Sequence, residues 1–181
     1  MKNVVKEREI LSYFIKIMEK RIDKQNYYLD IAETVASRAT CLRKKYGAVI
    51  VNNDQIIATG YNGAPRGRVN CCDIGYCTKK KLLPDQRHGG YDACRSVHAE
   101  QNAIISASRN DMIGATLYLV GYRTETHEYE EGAAPCLMCR KFIINAGIEK
   151  VIVRENSTKY KIFDVKKLIE EDEFLNGQLS Y

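Results

Sequence analysis

Apolar positions along this chain fall into two kinds of run. In residues 1–25, Ile10, Phe14, Ile17 and Met18 recur near helical spacing between Lys and Glu, which predicts a basic amphipathic helix packed on the body or on a neighbouring subunit. Ile31, Val35 and Ala39 share one face of a second predicted helix from Asp30 to about Arg43, with Cys41 near its end. The pattern then changes. Tyr46 to Val51 and Gln55 to Gly60 are β-favouring runs around the turn Asn52-Asn53-Asp54, the signature of a hairpin. Ala115 to Val120 is continuously β-favouring, as in a strand buried on both faces, and Lys150 to Val153 reads as another strand. Helices are expected over 98–109, where Ala99, Ala103, Ile104 and Ala107 allow close packing, over 136–146, stopped by Gly147, and over 165–171. Hairpin, helix, strand, helix, strand argues an α/β fold, a three-layer α/β/α sandwich around a mixed sheet. The N-terminal helical extension is assigned to 1–28 and a single domain to 29–181.

Between these elements lie three polar stretches. Tyr61 to Gly67 is a loop punctuated by Gly and Pro, residues 69–95 are irregular, and Gly121 to Ala134 is a charged connection expected to form a flap. His127 in that connection reads as a solvated histidine, and the acidic end through Tyr181 as a surface tail. With 181 residues the chain suits one domain with a sizeable core. No apolar run can span a bilayer and no signal-peptide core is seen at the N-terminus, so a cytoplasmic location without membrane contact is expected. There, seven cysteines read as ligands rather than disulfides. A net charge of +5 suits a small anionic substrate and is too scattered to argue for nucleic acid.

The chemistry concentrates in two segments. Ser96-Val97-His98-Ala99-Glu100 offers an imidazole and a carboxylate, and Pro135-Cys136-Leu137-Met138-Cys139 offers two thiols on one face of a helical turn. One His and two Cys are three ligands, the number a catalytic zinc keeps when its fourth position is left for water. Glu100 is then free to move protons. A lone Cys-x-x-Cys is often a redox pair or half of a structural site, but His-x-Glu followed by Pro-Cys-x-x-Cys resembles the signature of zinc nucleobase deaminases. In the Gly60–Gly67 stretch, backbone N–H groups with Arg66 and Arg68 could serve a phosphate, against the plain reading of an ordinary turn. Cys71, Cys72, Cys77, His88 and Cys94 crowd the irregular segment. They suggest a second, closed zinc, against a set of inert thiols, and Cys71-x5-Cys77 is no standard finger spacing, so connectivity stays open.

Taken in order, Gly47 to Val51, Gly60-Tyr61-Asn62-Gly63, Asn70-Cys71-Cys72-Asp73, His98 to Ile104 and Pro135 to Cys139 resemble the deoxycytidylate deaminases. The resemblance covers residues 29 to about 154. It implies a cytidine-deaminase-like fold, with His98, Cys136 and Cys139 on a catalytic zinc and Glu100 as proton shuttle. It also implies a structural zinc on Cys41, Cys71 and Cys94, its fourth ligand His88 or Cys77. The implied reaction is hydrolytic deamination of dCMP to dUMP and ammonia, with Asn62, Gly63, Arg66 and Arg68 contacting sugar and phosphate. Arg109 matches a position associated with nucleotide effectors such as dCTP or dTTP, which bring Mg, and the family assembles as homo-oligomers, hexamers or dimers. The N-terminal helix and the length of Gly121–Ala134 depart from the shortest members. The rivals are a deaminase of tRNA or free nucleosides and a non-catalytic, competence-type nucleotide-binding protein. An intact Glu100 argues against the latter.

Overall fold

The computed structural model of the chain describes residues 21–85 and 90–171. Of the N-terminal helix expected over 1–25, positions 1–20 lie outside the described residues, as do His88 and the chain beyond 171. Five strands form one mixed sheet in the order β2-β1-β3-β4-β5. They are β1 (Lys44–Asn52), β2 (Gln55–Tyr61), β3 (Thr116–Arg123), β4 (Lys150–Arg154) and β5 (Tyr160–Asp164). All neighbours are antiparallel except β3 and β4. The hairpin turns through Asn53 and Asp54, both at positive φ (49° and 65°), the two-residue turn whose twist matches the flanking strands. The parallel pair requires a crossover, supplied by α6 (Leu137–Ala146).

The unbroken apolar runs in β1, β3 and β4 are explained by burial on both faces. Alternate residues go to opposite cores. Ala48, Ile50, Leu117, Leu119, Val151 and Val153 meet α4 (Ala99–Ile105), α6 and α7 (Val165–Glu170) on one side. Val49, Val51, Tyr118, Val120 and Ile152 meet α1 (Lys24–Ala36) on the other. The result is three layers, as expected, with α1 covering the second face and Tyr129 and Tyr160 packed beside it.

Three sequence-based boundaries differ. The first described helix runs over Lys24–Ala36 rather than Asp30–Arg43. Asp23 caps it by accepting from the Asn26 N–H at 3.0 Å, and the chain turns away after Ala36, so that Thr40 N–H reaches the Asn62 carbonyl. Cys41 therefore lies in a loop. The helix predicted over 98–109 is two, α4 and a short α5 (Arg109–Met112), while β5 has no counterpart among the predicted elements. The irregular segment contains α2 (Cys71–Ile74), α3 (Thr78–Leu82) and a 3₁₀ turn over Tyr91–Ala93. The Gly121–Ala134 connection reaches the cavity at its end, where Ala134 lines it. It continues β3 to Arg123 and then folds back along it, with Tyr122 and Tyr129 bridged.

Candidate active site

Two helix N-termini converge on one cavity of about 410 Å³. His98 is the N-cap of α4, its backbone N–H donating to Gln101 Oε1 at 3.0 Å. Cys136 is the N-cap of α6, and Cys139 lies in its first turn. The extended conformation at both caps (ψ 156° and 161°) aims the two side chains inward. His98 Nδ1 lies 3.5 Å from Cys136 Sγ and 3.3 Å from Cys139 Sγ. All three ligand atoms fall within 4.8 Å of one another, the group among the described residues that is tight enough to share one ion.

The donor set fits a cation on electrostatic grounds. A hydrogen bond from Cys139, with His98 adding to it, holds the Cys136 thiol down at about 4 despite its burial. The same hydrogen bond, burial and the nearby Glu100 push Cys139 strongly up. One thiolate and one thiol thus share a proton where a metal would replace it. Burial works to lower the His98 imidazole, yet the Cys136 hydrogen bond and the Glu100 charge leave it raised overall. Glu100, 5% exposed, has its carboxyl raised by burial, partly offset by His98. A buried carboxyl beside a three-donor site, aimed by the same helix turn, can take and return a proton.

The profile described as "Cytidine and deoxycytidylate deaminase zinc-binding region" matches residues 22–155. The chain belongs to this deaminase family. A deoxycytidylate deaminase of Mycobacterium phage D29 is 38% identical over 139 residues, 76% of this chain and 98% of the phage protein. The deoxycytidylate deaminase of Saccharomyces cerevisiae is 35% identical over 72% of this chain, which spans only 37% of that longer protein. Among solved structures, apo dCMP deaminase from cyanophage S-TIM5 superposes with a TM-score of 0.50 at 28% identity, covering 74% of this chain and 85% of the other.

Within this deaminase domain, the sequence-predicted residues separate into groups. His98, Glu100 and Cys136 line the cavity, with Cys139 buried behind them, and Asn62 lines it too. The Asn62 side chain is, however, already engaged: Oδ1 accepts from Tyr46 N–H at 2.7 Å and Nδ2 donates to the Lys44 carbonyl at 2.9 Å. Gly63 pairs with Val97 and so positions the residue before His98. Arg66 and Arg68 are exposed and do not line the cavity. The cations that do are Arg43, Lys44 and Lys79, none of which the sequence patterns single out.

Cys41, Cys71, Cys77 and Cys94 gather beside the cavity. Burial raises the Cys71 thiol, and the charges of the other three add to it. The gathering is held by Thr40 and Asn70 side chains at 3.0 Å and by Thr78 donating to the Ala93 carbonyl at 3.1 Å. It is looser than the His98 triad. Cys72 faces outward toward Asp73. Arg109 opens α5 and donates through Nε to the Asn145 carbonyl at the end of α6. His127 is exposed and stacks on Tyr122 at 5.3 Å. No helix among the described residues is long and apolar enough to cross a membrane.

Proposed function

We propose that this chain deaminates dCMP to dUMP and ammonia as a zinc-dependent hydrolase of pyrimidine deoxynucleotide metabolism. The observation carrying this reading is a buried carboxyl next to a His-Cys-Cys donor set, in a cavity whose wall bears Arg43, Lys44 and Lys79. Such cations suit a phosphorylated substrate better than a free nucleoside. The deoxycytidylate deaminases among its relatives point the same way. Zinc held by His98, Cys136 and Cys139 would supply a water whose pKa is brought to about 7. Glu100 accepts one proton of the attacking water and delivers it to N3 of the cytosine ring, then takes the remaining proton from the new C4 hydroxyl and passes it to the amino group, which leaves as ammonia as the C4 carbonyl forms. Its raised pKa, caused first by burial, favours holding the proton between the two transfers.

In the same reading, Cys41, Cys71 and Cys94, with Cys77 or His88, hold a structural zinc, and the proximity of the four cysteines supports this. Arg109 serves a dCTP- or dTTP-type effector accompanied by Mg, and the chain works as a cytoplasmic homo-oligomer, dimer or hexamer. The chain divides into an N-terminal extension over 1–28 and a single deaminase domain over 29–181.

Three measurements test the proposal. Assaying dCMP, deoxycytidine, cytidine, dCTP and tRNA side by side should show dCMP as the preferred substrate. Preference for tRNA or for a free nucleoside would overturn it. Glu100→Gln should retain metal yet lower kcat by at least about 10²–10⁴, and near-wild-type turnover in the zinc-loaded variant would remove Glu100 from the reaction. Metal analysis should find two zinc ions per chain, with one surviving His98→Ala.

A further inference from the structure

Lys79 is 7% exposed yet lines the active-site cavity. Its Nζ sits over the ring of Tyr91, 5.0 Å from the centroid. Among the described residues its ammonium has no hydrogen-bond acceptor and no carboxylate within ion-pair distance, while its backbone carbonyl accepts from Leu83 N–H at 2.8 Å. The stem of Lys79 is packed away while its ammonium opens on the cavity, where the tyrosine face answers its charge only in part. The Cys94 thiol lies near enough to feel this charge, and an anionic group of a ligand in the cavity can pair with the ammonium directly.

The other cations of the cavity do not share this condition. Lys44 Nζ is held by Glu130 Oε1 at 2.7 Å, so its charge is already answered. Arg43 is exposed and can satisfy itself with water. Tyr91, in turn, meets the His98 ring edge-to-face at 5.2 Å, so the Lys79 ammonium stands one aromatic ring away from the imidazole of the donor set. A ligand whose reacting ring lies at His98 and whose anionic end lies across the cavity can reach both.

We propose that Lys79, positioned by the ring of Tyr91, is the residue that reads the 5′-phosphate of the substrate. This rests on the dCMP reading above. Lys79 is the specificity residue, since it touches the phosphate. Tyr91 is a positioning residue, since it acts by holding the ammonium and the imidazole at a fixed separation. Both come from the segment between Asn70 and Val97, so the part of the chain that selects a nucleotide is separate from the α4 and α6 caps that perform the chemistry.

The test compares dCMP with deoxycytidine in zinc-loaded wild type, Lys79→Met and Lys79→Arg. Methionine keeps most of the apolar stem and deletes the charge. One charge-assisted hydrogen bond corresponds to about a 10- to 150-fold change. Lys79→Met should therefore lower kcat/KM for dCMP by that factor, chiefly through KM, and weaken dUMP binding by a similar factor in calorimetry. Turnover of deoxycytidine should fall far less than that of dCMP, and Lys79→Arg should recover much of the loss. An unaltered dCMP-to-deoxycytidine ratio in Lys79→Met, with wild type preferring dCMP, overturns the assignment and leaves the dCMP reading standing. Equal losses on both substrates make Lys79 structural and overturn it too. A wild type without preference for dCMP sinks the dCMP reading itself, and the assignment with it.

Discussion

Burial leaves Glu100 5% exposed, and its folded-state pKa is raised above the ordinary 4.5, with burial the largest cause. A carboxyl with a raised folded pKa contributes stability in its protonated form. That contribution is complete below about pH 4.5 and is lost as pH rises through the folded value. In chelator-treated protein at pH 7–8, above the unfolded value, the buried Glu100 carboxyl is thus a net cost to the fold, and Glu100→Gln should remove it. Every tenfold difference in proton affinity between the folded and unfolded chain corresponds to about 1.4 kcal/mol, or about 2–4 °C in Tm for a chain of this size. Thermal unfolding should find the variant more stable than wild type near pH 8, with the gap closing toward pH 4. A variant less stable than wild type at pH 8 would contradict the burial account. The same substitution is expected to destroy turnover, so one residue separates stability from activity.

At the scale of elements, α4 is held against β2 by a close approach that admits no side chain. A Cβ added at Gly60 would lie 2.3 Å from the Ala103 nitrogen and 2.3 Å from the Ala99 carbonyl oxygen. Gly60→Ala must push the helix that carries His98 and Glu100. A loss of about 1–3 kcal/mol by denaturant titration is expected, together with reduced kcat. Gly67→Ala is a useful contrast: φ is +83° but nothing lies within 4 Å, so strain of about 1–2 kcal/mol should leave kcat unchanged. The elements themselves are legible where sequence and burial agree. The runs Tyr46 to Val51 and Ala115 to Val120 are apolar at every position because both faces are covered, and the ligand caps declare themselves by residue type. Other features are not legible. Asp30 has the residue type of a helix start but lies within α1, whereas Asp23 makes the capping hydrogen bond. Strand β5 escapes because it is an edge strand whose residues are partly or fully exposed. Lys79 and Tyr91 escape because no periodicity governs the segment that carries them. Their place in space depends on contacts distant in sequence.

Across the whole molecule, the two cores on either side of the sheet have different clients. The helices bearing the donor set pack on one face, and α1 covers the other. Arg154, 2% exposed, joins α1 to β4: it pairs with Asp30 and donates to the Asn26 carbonyl at 3.1 Å and to the Ser157 carbonyl at 3.0 Å. Arg154→Ala should cost about 1–3 kcal/mol in denaturant unfolding while leaving kcat per folded molecule intact, since the far face carries the chemistry. A matching drop in kcat would mean that the α1 layer tunes the site after all. On the catalytic side, Gly63 and Val97 exchange backbone hydrogen bonds at 3.2 and 2.8 Å, so the excursion between them leaves and re-enters the body at a single gate. Lengthening a loop closed in this way costs only about 0.6 kcal/mol per doubling. The segment is thus an exchangeable cassette: insertions, deletions and grafts between these two residues can be tried with the sheet and the donor set left in place, and a lineage can acquire a new substrate without relearning the reaction.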